Sequence, residues 1–135
     1  MDDMESNLLF HEMWYAYQAY QETPSSYVNS LLNLDIEAHY AQYIYLQSLP
    51  EYSESQWEEG YRTDKRLIGT AGLQIYIDDT GFMKDGIDSV FLEDYIENKL
   101  IGAFRSLAPY KNYLYNETRV GLDNFFNLQN LTKDC

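Results

Sequence analysis

Two histidines, His11 and His39, one thiol, Cys135, and 22 carboxylates are the side chains best suited to chemistry here. Nucleophilic catalysis needs a base beside an activated hydroxyl or thiol. No G-x-S-x-G turn presents a serine, and Cys135 falls where a frayed terminus is expected. His11-Glu12 opens like the helix of a zinc protease, but position 15 is Tyr, so the second ligand is missing. Asp79-Thr80-Gly81 matches the triplet of aspartic proteases, which need two such carboxylates sharing a proton on a β-rich scaffold. The flanks read as helical, so a turn is expected instead. Counted from Asp78, the same run fails as a calcium loop, because Phe82 stands where an oxygen ligand belongs. Glu58-Glu59 and Glu93-Asp94 are adjacent pairs, which do not share a helix face, so solvated charge is expected rather than a glycosidase pair. No glycine-rich phosphate cradle occurs. The sequence therefore predicts no enzyme, no cofactor and no metal site.

The distribution of charge is the informative feature. Between Met1 and Tyr61 there is no Lys or Arg, while Asp and Glu number 11; Arg62 is the first basic residue. The remainder carries 9 basic and 11 acidic side chains, so nearly all of the net charge of −13 belongs to the leading half. Both Trp and nine of the 14 Tyr lie there too. Such a field repels phosphate and anionic lipid and attracts cationic surfaces. Direct nucleic-acid binding is therefore not expected. The opening MDDMESNLLF has neither a basic segment nor a long apolar run, and no stretch approaches a membrane span, so a cytoplasmic protein without a membrane segment is expected. The single Cys fits a reducing compartment.

The elements that would position these groups are mostly helices. Residues 3 to 22 read as one, with Phe10, Met13, Trp14, Tyr17 and Tyr20 at helical spacing. Thr23-Pro24 has the chemistry of an N-cap followed by a first-turn proline, predicting a short helix through Tyr27, Val28, Leu31 and Leu32. Asp35 is expected to cap the next helix, lined by Ile36, Tyr40, Tyr43 and Ile44 and ended by Pro50. Ser53-x-x-Gln56 is a capping-box pattern, continued by Trp57, Tyr61 and Ile68, although Gly60, Gly69 and Gly72 weaken it. Leu73 to Ile77 alternates like a strand and runs into turn-forming residues, so helix and strand both stay open for 70–84. Asp88 should cap a helix over 88–107 carrying the stripe Leu92, Ile96, Leu100, Ala103 and Leu107, with Phe91, Tyr95 and Phe104 beside it. A last helix over 117–130, capped by Asn116, should bury Val120, Phe125 and Phe126. The fold class is mainly α: a compact single-domain bundle of about five helices over 1–135, with a short strand or hairpin near 73–84 as the open point.

Fourteen Tyr exceed what a core of this size readily takes, since each buried phenol needs a polar partner. Tyr15, Tyr45 and Tyr52 fall off the stripes and are expected at the surface. Together with Glu12, Asp35, Glu37, Glu51, Glu54, Glu58 and Glu59 they make a candidate partner-binding surface of aromatic rings among unpaired carboxylates. In composition this is similar to the DNA-mimic proteins that phages use against restriction or CRISPR nucleases, and to the immunity proteins of nuclease toxins. That similarity implies an acidic inhibitor occupying the basic groove of a nucleic-acid-acting enzyme. The rival expectation is an assembly subunit of a virion or other homo-oligomer, of neck or connector type, with its aromatic stripes as subunit contacts.

Overall fold

A computed structural model describes residues 3–48, 65–107, 111–119 and 121–133. The described chain is mainly helical. The elements are α1 (Asp3–Gln21), α2 (Pro24–Asn29), α3 (Leu31–Ser48), α4 (Lys65–Gly72), α5 (Ser89–Tyr95), α6 (Ile101–Arg105) and α7 (Phe126–Lys133), with 3-10 turns at Leu73–Ile75 and Gly121–Phe125.

Helix α3 is the axis of the fold. Its side chains from Leu32 to Ala41 are all buried, and so is Tyr43. Its sequence explains why. At about 100° per residue, Leu32, Ile36 and Tyr40 form one apolar side, and Leu34, Ala38 and Ala41 form the opposite one. A helix apolar on two sides must be covered on two sides. Helices α1, α2, α4 and α7 and the second 3-10 turn all pack on it. Asp35 therefore lies inside α3, and the cap expected there is absent: the chain enters α3 directly from α2 through Ser30. The free amides of that entry turn go elsewhere, Leu32 N–H to the Leu114 carbonyl at 3.1 Å and Leu34 N–H to that of Ser30 at 2.9 Å.

Local chemistry sets the other boundaries. Thr23 Oγ1 accepts from Ser26 N–H at 3.1 Å and caps α2, with Pro24 opening the helix. Asp88 Oδ1 accepts from Val90 N–H at 3.0 Å and caps α5. In α1 the inward face holds Trp14 and Gln18 with Phe10 and Tyr17, while Met13 and Tyr20 point to solvent, contrary to the stripe expected from spacing. The Ser53–Tyr61 helix lies outside the described residues. Ile68, its proposed continuation, is exposed on α4.

The segment 70–84 resolves as the end of α4, a 3-10 turn and a tight reversal held by one antiparallel bridge between Ile77 and Met83. Asp78 builds the reversal, its Oδ1 accepting from Thr80 N–H (2.8 Å), Thr80 Oγ1 (2.6 Å) and Phe82 N–H (3.2 Å). Gly81 takes φ 87°, a left-handed conformation that favours glycine. The glycines of α4 have a packing reason. A Cβ on Gly69 would overlap the Leu100 side chain, and one on Gly72 the Tyr95 hydroxyl, which donates to the Gly69 carbonyl at 2.7 Å.

Helices α5 and α6 are continuous through a π-helical turn at Ile96–Leu100, where Ile101 N–H reaches the Ile96 carbonyl. The wider turn has a geometric use. Leu92, Ile96, Leu100 and Phe104 stand four apart, and in an ideal helix each step of four overshoots by about 40°. A π turn takes up that drift, so all four are fully buried. Phe104 thus replaces Ala103 and Leu107, both half-buried, as the end of the stripe. Near the other end of the chain, Phe125 is buried as expected, Phe126 is exposed, and Val120 lies outside the described residues. Asn116 accepts from Thr118 N–H and Oγ1 (3.1 and 2.6 Å), which makes a turn rather than a helix cap.

Candidate functional site

Between its two apolar sides α3 carries Asn33, Asp35, Glu37 and His39, four polar groups in the interior. Each is met by a partner. Asn33 Nδ2 donates to Asn124 Oδ1 at 2.7 Å and to the Arg119 carbonyl at 2.9 Å, while its Oδ1 accepts from Asn116 N–H at 2.8 Å. His39 Nδ1 stands 2.8 Å from the Asp35 carbonyl, with its ring edge-on to Phe104. Tyr15 donates its hydroxyl to Asp35 Oδ1 at 2.6 Å.

Glu37 sits at the centre of the densest cluster. Its Oε2 accepts from the backbone N–H groups of Asn127 and Leu128 at 2.8 and 3.1 Å, so it caps the start of α7 from across the core. Its Oε1 accepts from Gln18 Nε2 and Asn127 Nδ2, each at 2.9 Å. Asn127 Nδ2 also reaches Glu22, which pairs with Arg119. Burial raises the Glu37 carboxyl from 4.5 to about 7, against the opposing pull of the Gln18, Asn127 and Leu128 donors and the Arg119 charge. Its neutral form is thus the one favoured by folding. That stabilisation is complete below the unfolded value near 4.5 and is lost as pH rises through about 7. At about 1.4 kcal/mol per tenfold, the loss amounts to about 3 kcal/mol. Glu37→Gln keeps the shape and cannot ionise. Urea unfolding at pH 5 and pH 8 should show its stability relative to wild type improving by about that amount; a constant gap would mean an ordinary carboxyl.

Two carboxylates of the candidate surface read from the sequence lie in the interior. Glu37 is fully buried and Asp35 is 6% exposed, so neither lies on a solvent-facing patch; both serve the interior. Tyr15 is half-buried against Asp35, and Tyr45 is half-buried with its ring stacked on Phe10 at 4.4 Å. Glu12 is exposed on α1. Glu51, Tyr52, Glu54, Glu58 and Glu59 lie outside the described residues.

Two features were not anticipated. First, carboxylates of the second half act on one group: the charges of Glu97, Glu93 and Glu117 all bear on the Tyr115 hydroxyl. Burial raises that phenol first, Asn124 opposes the rise, and the three acidic groups add to it. Second, a partly enclosed cleft of about 320 Å³ opens between α1, α2, α3 and the 111–119 loop. Tyr15, Tyr27 and Tyr113 supply its rings, Gln18 and Asp35 its polar atoms, and Leu31 and Leu34 the rest. The sequence signal for this cleft was weak, since its residues lie on four separate segments. A shallower hollow of about 360 Å³ exposes the edge of the Arg119–Glu22 pair beside Thr23 and Asp123.

Among the described residues no three His, Cys, Asp or Glu side chains group as metal ligands, and no helix is long and apolar enough to cross a membrane. The architecture is that of a small helical bundle wrapped on one buried helix. No family model, curated protein or solved structure matches this chain.

Proposed function

We propose that this chain acts by binding, as a small acidic inhibitor that engages a basic protein, in the manner of a DNA mimic or immunity protein seated in the groove of a nucleic-acid-acting enzyme. The observation that carries the reading is the charge left at the surface once the buried groups are set aside. Among the described residues Glu12, Asp79, Asp85, Asp88, Asp94, Glu97, Glu117 and Asp123 are exposed, against Lys65, Lys84, Lys99, Arg105 and Lys111. Burial withdraws Asp35 and Glu37 from the field, and the formal total of −13, which counts both, falls by two to −11. Such a surface speeds encounter with a cationic partner and selects against acidic ones. The acidic groups beside Tyr115 add to it from the second half of the chain.

A second reading, an assembly subunit, is favoured by Val90 and Phe91, two neighbouring apolar side chains exposed at the start of α5. Light scattering separates the two: a monomer or dimer fits the inhibitor, a ring the subunit.

The decisive experiment uses a nucleic-acid-binding partner captured from the native host. Its affinity should fall at least tenfold between about 50 and about 300 mM salt, and duplex DNA should compete with this chain for it. Glu93→Lys with Glu97→Lys, and separately Glu58→Lys with Glu59→Lys, should slow association with the fold intact. Salt-independent affinity, or simultaneous binding of duplex DNA, would overturn the inhibitor reading.

A further inference from the structure

We infer that Asp85-Gly86 is a site of spontaneous backbone modification, where the chain rearranges through a succinimide ring to isoaspartate with water as the only co-reactant. The inference stands apart from the acidic-inhibitor reading, because it rests on one turn rather than on the field of the whole protein.

Ring closure needs a carboxyl free to swing onto the next backbone nitrogen, an amide with no prior commitment, and no side chain in the way. The sequence has one Asp-Gly pair. Lys84, Asp85 and Gly86 are all exposed. They form a turn closed by Ile87 N–H on the Lys84 carbonyl at 3.3 Å, with Gly86 at φ 81°. That is the type II pattern, whose third position suits glycine. Among the described residues neither the Asp85 carboxyl nor the Gly86 N–H has a hydrogen-bond partner, and nothing stands within 4 Å of where a Gly86 Cβ would be.

The neighbouring aspartates show what the fold withholds elsewhere. Asp78 Oδ1 is occupied by Thr80 N–H, Thr80 Oγ1 and Phe82 N–H. Asp79 is exposed, but the amide it would need, Thr80 N–H, is committed to Asp78 at 2.8 Å and belongs to a β-branched residue. Asp88 Oδ1 accepts from Val90 N–H at 3.0 Å, and Ser89 is fixed in the first turn of α5. Of these aspartates Asp85 alone joins a free carboxyl to a free, unhindered amide.

The chemistry balances without an oxidant or a cofactor. The Gly86 nitrogen bonds to Asp85 Cγ, while the carboxyl hydroxyl and the amide proton leave together as water. Water then opens the ring at either carbonyl. Opening at Cγ breaks the new C–N bond and restores aspartate. Opening at the main-chain carbonyl breaks the old peptide bond, so the chain runs on through Cβ and Cγ and the α-carboxylate hangs free. One backbone carbon is thereby inserted between the Ile77–Met83 bridge and the Asp88 cap. The ring is uncharged, and each opening returns one negative charge.

The test is incubation of the full chain for several weeks at neutral pH in water enriched in heavy oxygen, in buffer and in urea, followed by peptide mass spectrometry. Isoaspartate should accumulate at Asp85 with one heavy oxygen for each ring opening. Its rate in the folded chain should lie within about threefold of that in urea, because no structure has to open first. Asp79 and Asp88 should each be slowed at least about tenfold by folding. Asp85→Glu, which keeps the charge at an exposed position, should abolish the signal. Gly86→Ala, unobstructed but strained at positive φ, should slow it several-fold. Protection of Asp85 by tenfold or more on folding, equal conversion at Asp79 or Asp88 in the folded chain, or heavy oxygen entering only through chain cleavage would overturn the proposal.

Discussion

Replacing Arg119 by Ala is expected to lower the unfolding free energy by roughly 3–5 kcal/mol, the cost of breaking a buried ion pair by removing one member. The guanidinium side chain is 10% exposed and that of its partner Glu22 is 4% exposed. Arg119 Nε also donates to the Asp123 carbonyl at 3.0 Å, fastening the loop before the second 3-10 turn. After truncation Glu22 would keep only Ser26 and Asn127 as donors, at 2.8 and 3.2 Å, for a charge shielded from water. Because the pair is largely buried, salt should weaken it little, unlike the surface field. Urea unfolding of Arg119→Ala at low and high salt measures both points. A loss below about 1 kcal/mol would place the pair effectively in solvent. Glu22, Arg119, Asn127 and Glu37 form one network, so paired substitutions in it should be markedly non-additive.

Leu100→Ala is the second large effect, with an expected loss of roughly 2–5 kcal/mol as for other buried leucines. Leu100 is fully buried in the π turn and packs so closely on α4 that Gly69 has no room for a Cβ. The close approach of the α4 backbone at Gly69 argues for the upper part of that range. Phe91→Ala, 59% exposed at the start of the same helical run, is the control and should cost about 0.5 kcal/mol or less. Chemical denaturation of both variants gives the comparison. A loss below about 0.5 kcal/mol for Leu100→Ala would mean that this face is open to water.

What was legible in the sequence was local. Thr23-Pro24 and Asp88 announce their helix starts because a cap is a bond between near neighbours. The spacing of Leu92, Ile96 and Leu100 announces a buried face for a similar reason. The misreading of Asp35 and Glu37 has the opposite cause. Their environment is built by residues distant in sequence: Tyr15 for Asp35, and Gln18, Asn127 and Leu128 for Glu37. A count of charges treats every carboxylate as wet. The correcting signal was present in Leu32, Leu34, Ile36, Ala38 and Tyr40, whose interleaving with polar residues makes α3 apolar on two sides. A helix of that pattern is enclosed, and its acids are enclosed with it. The π turn had a trace too, in a four-residue repeat held longer than an α-helix keeps in phase.

The covering of α3 by the 121–133 segment bears on how the protein is made. Asn33 meets Asn124 across 91 positions of chain, and Glu37 meets Asn127 across 90. Closing loops of that length carries an entropic cost that the local contacts of the helices do not. On the ribosome, a nascent chain synthesised only through α6 leaves Glu37 with the Gln18 donor but without those of Asn127 and Leu128, and leaves Asn33 without Asn116 and Asn124, beside a groove awaiting Phe125. Cooperative folding must therefore wait for the final stretch to emerge, and until then the unfinished product is a natural client for chaperones and proteases.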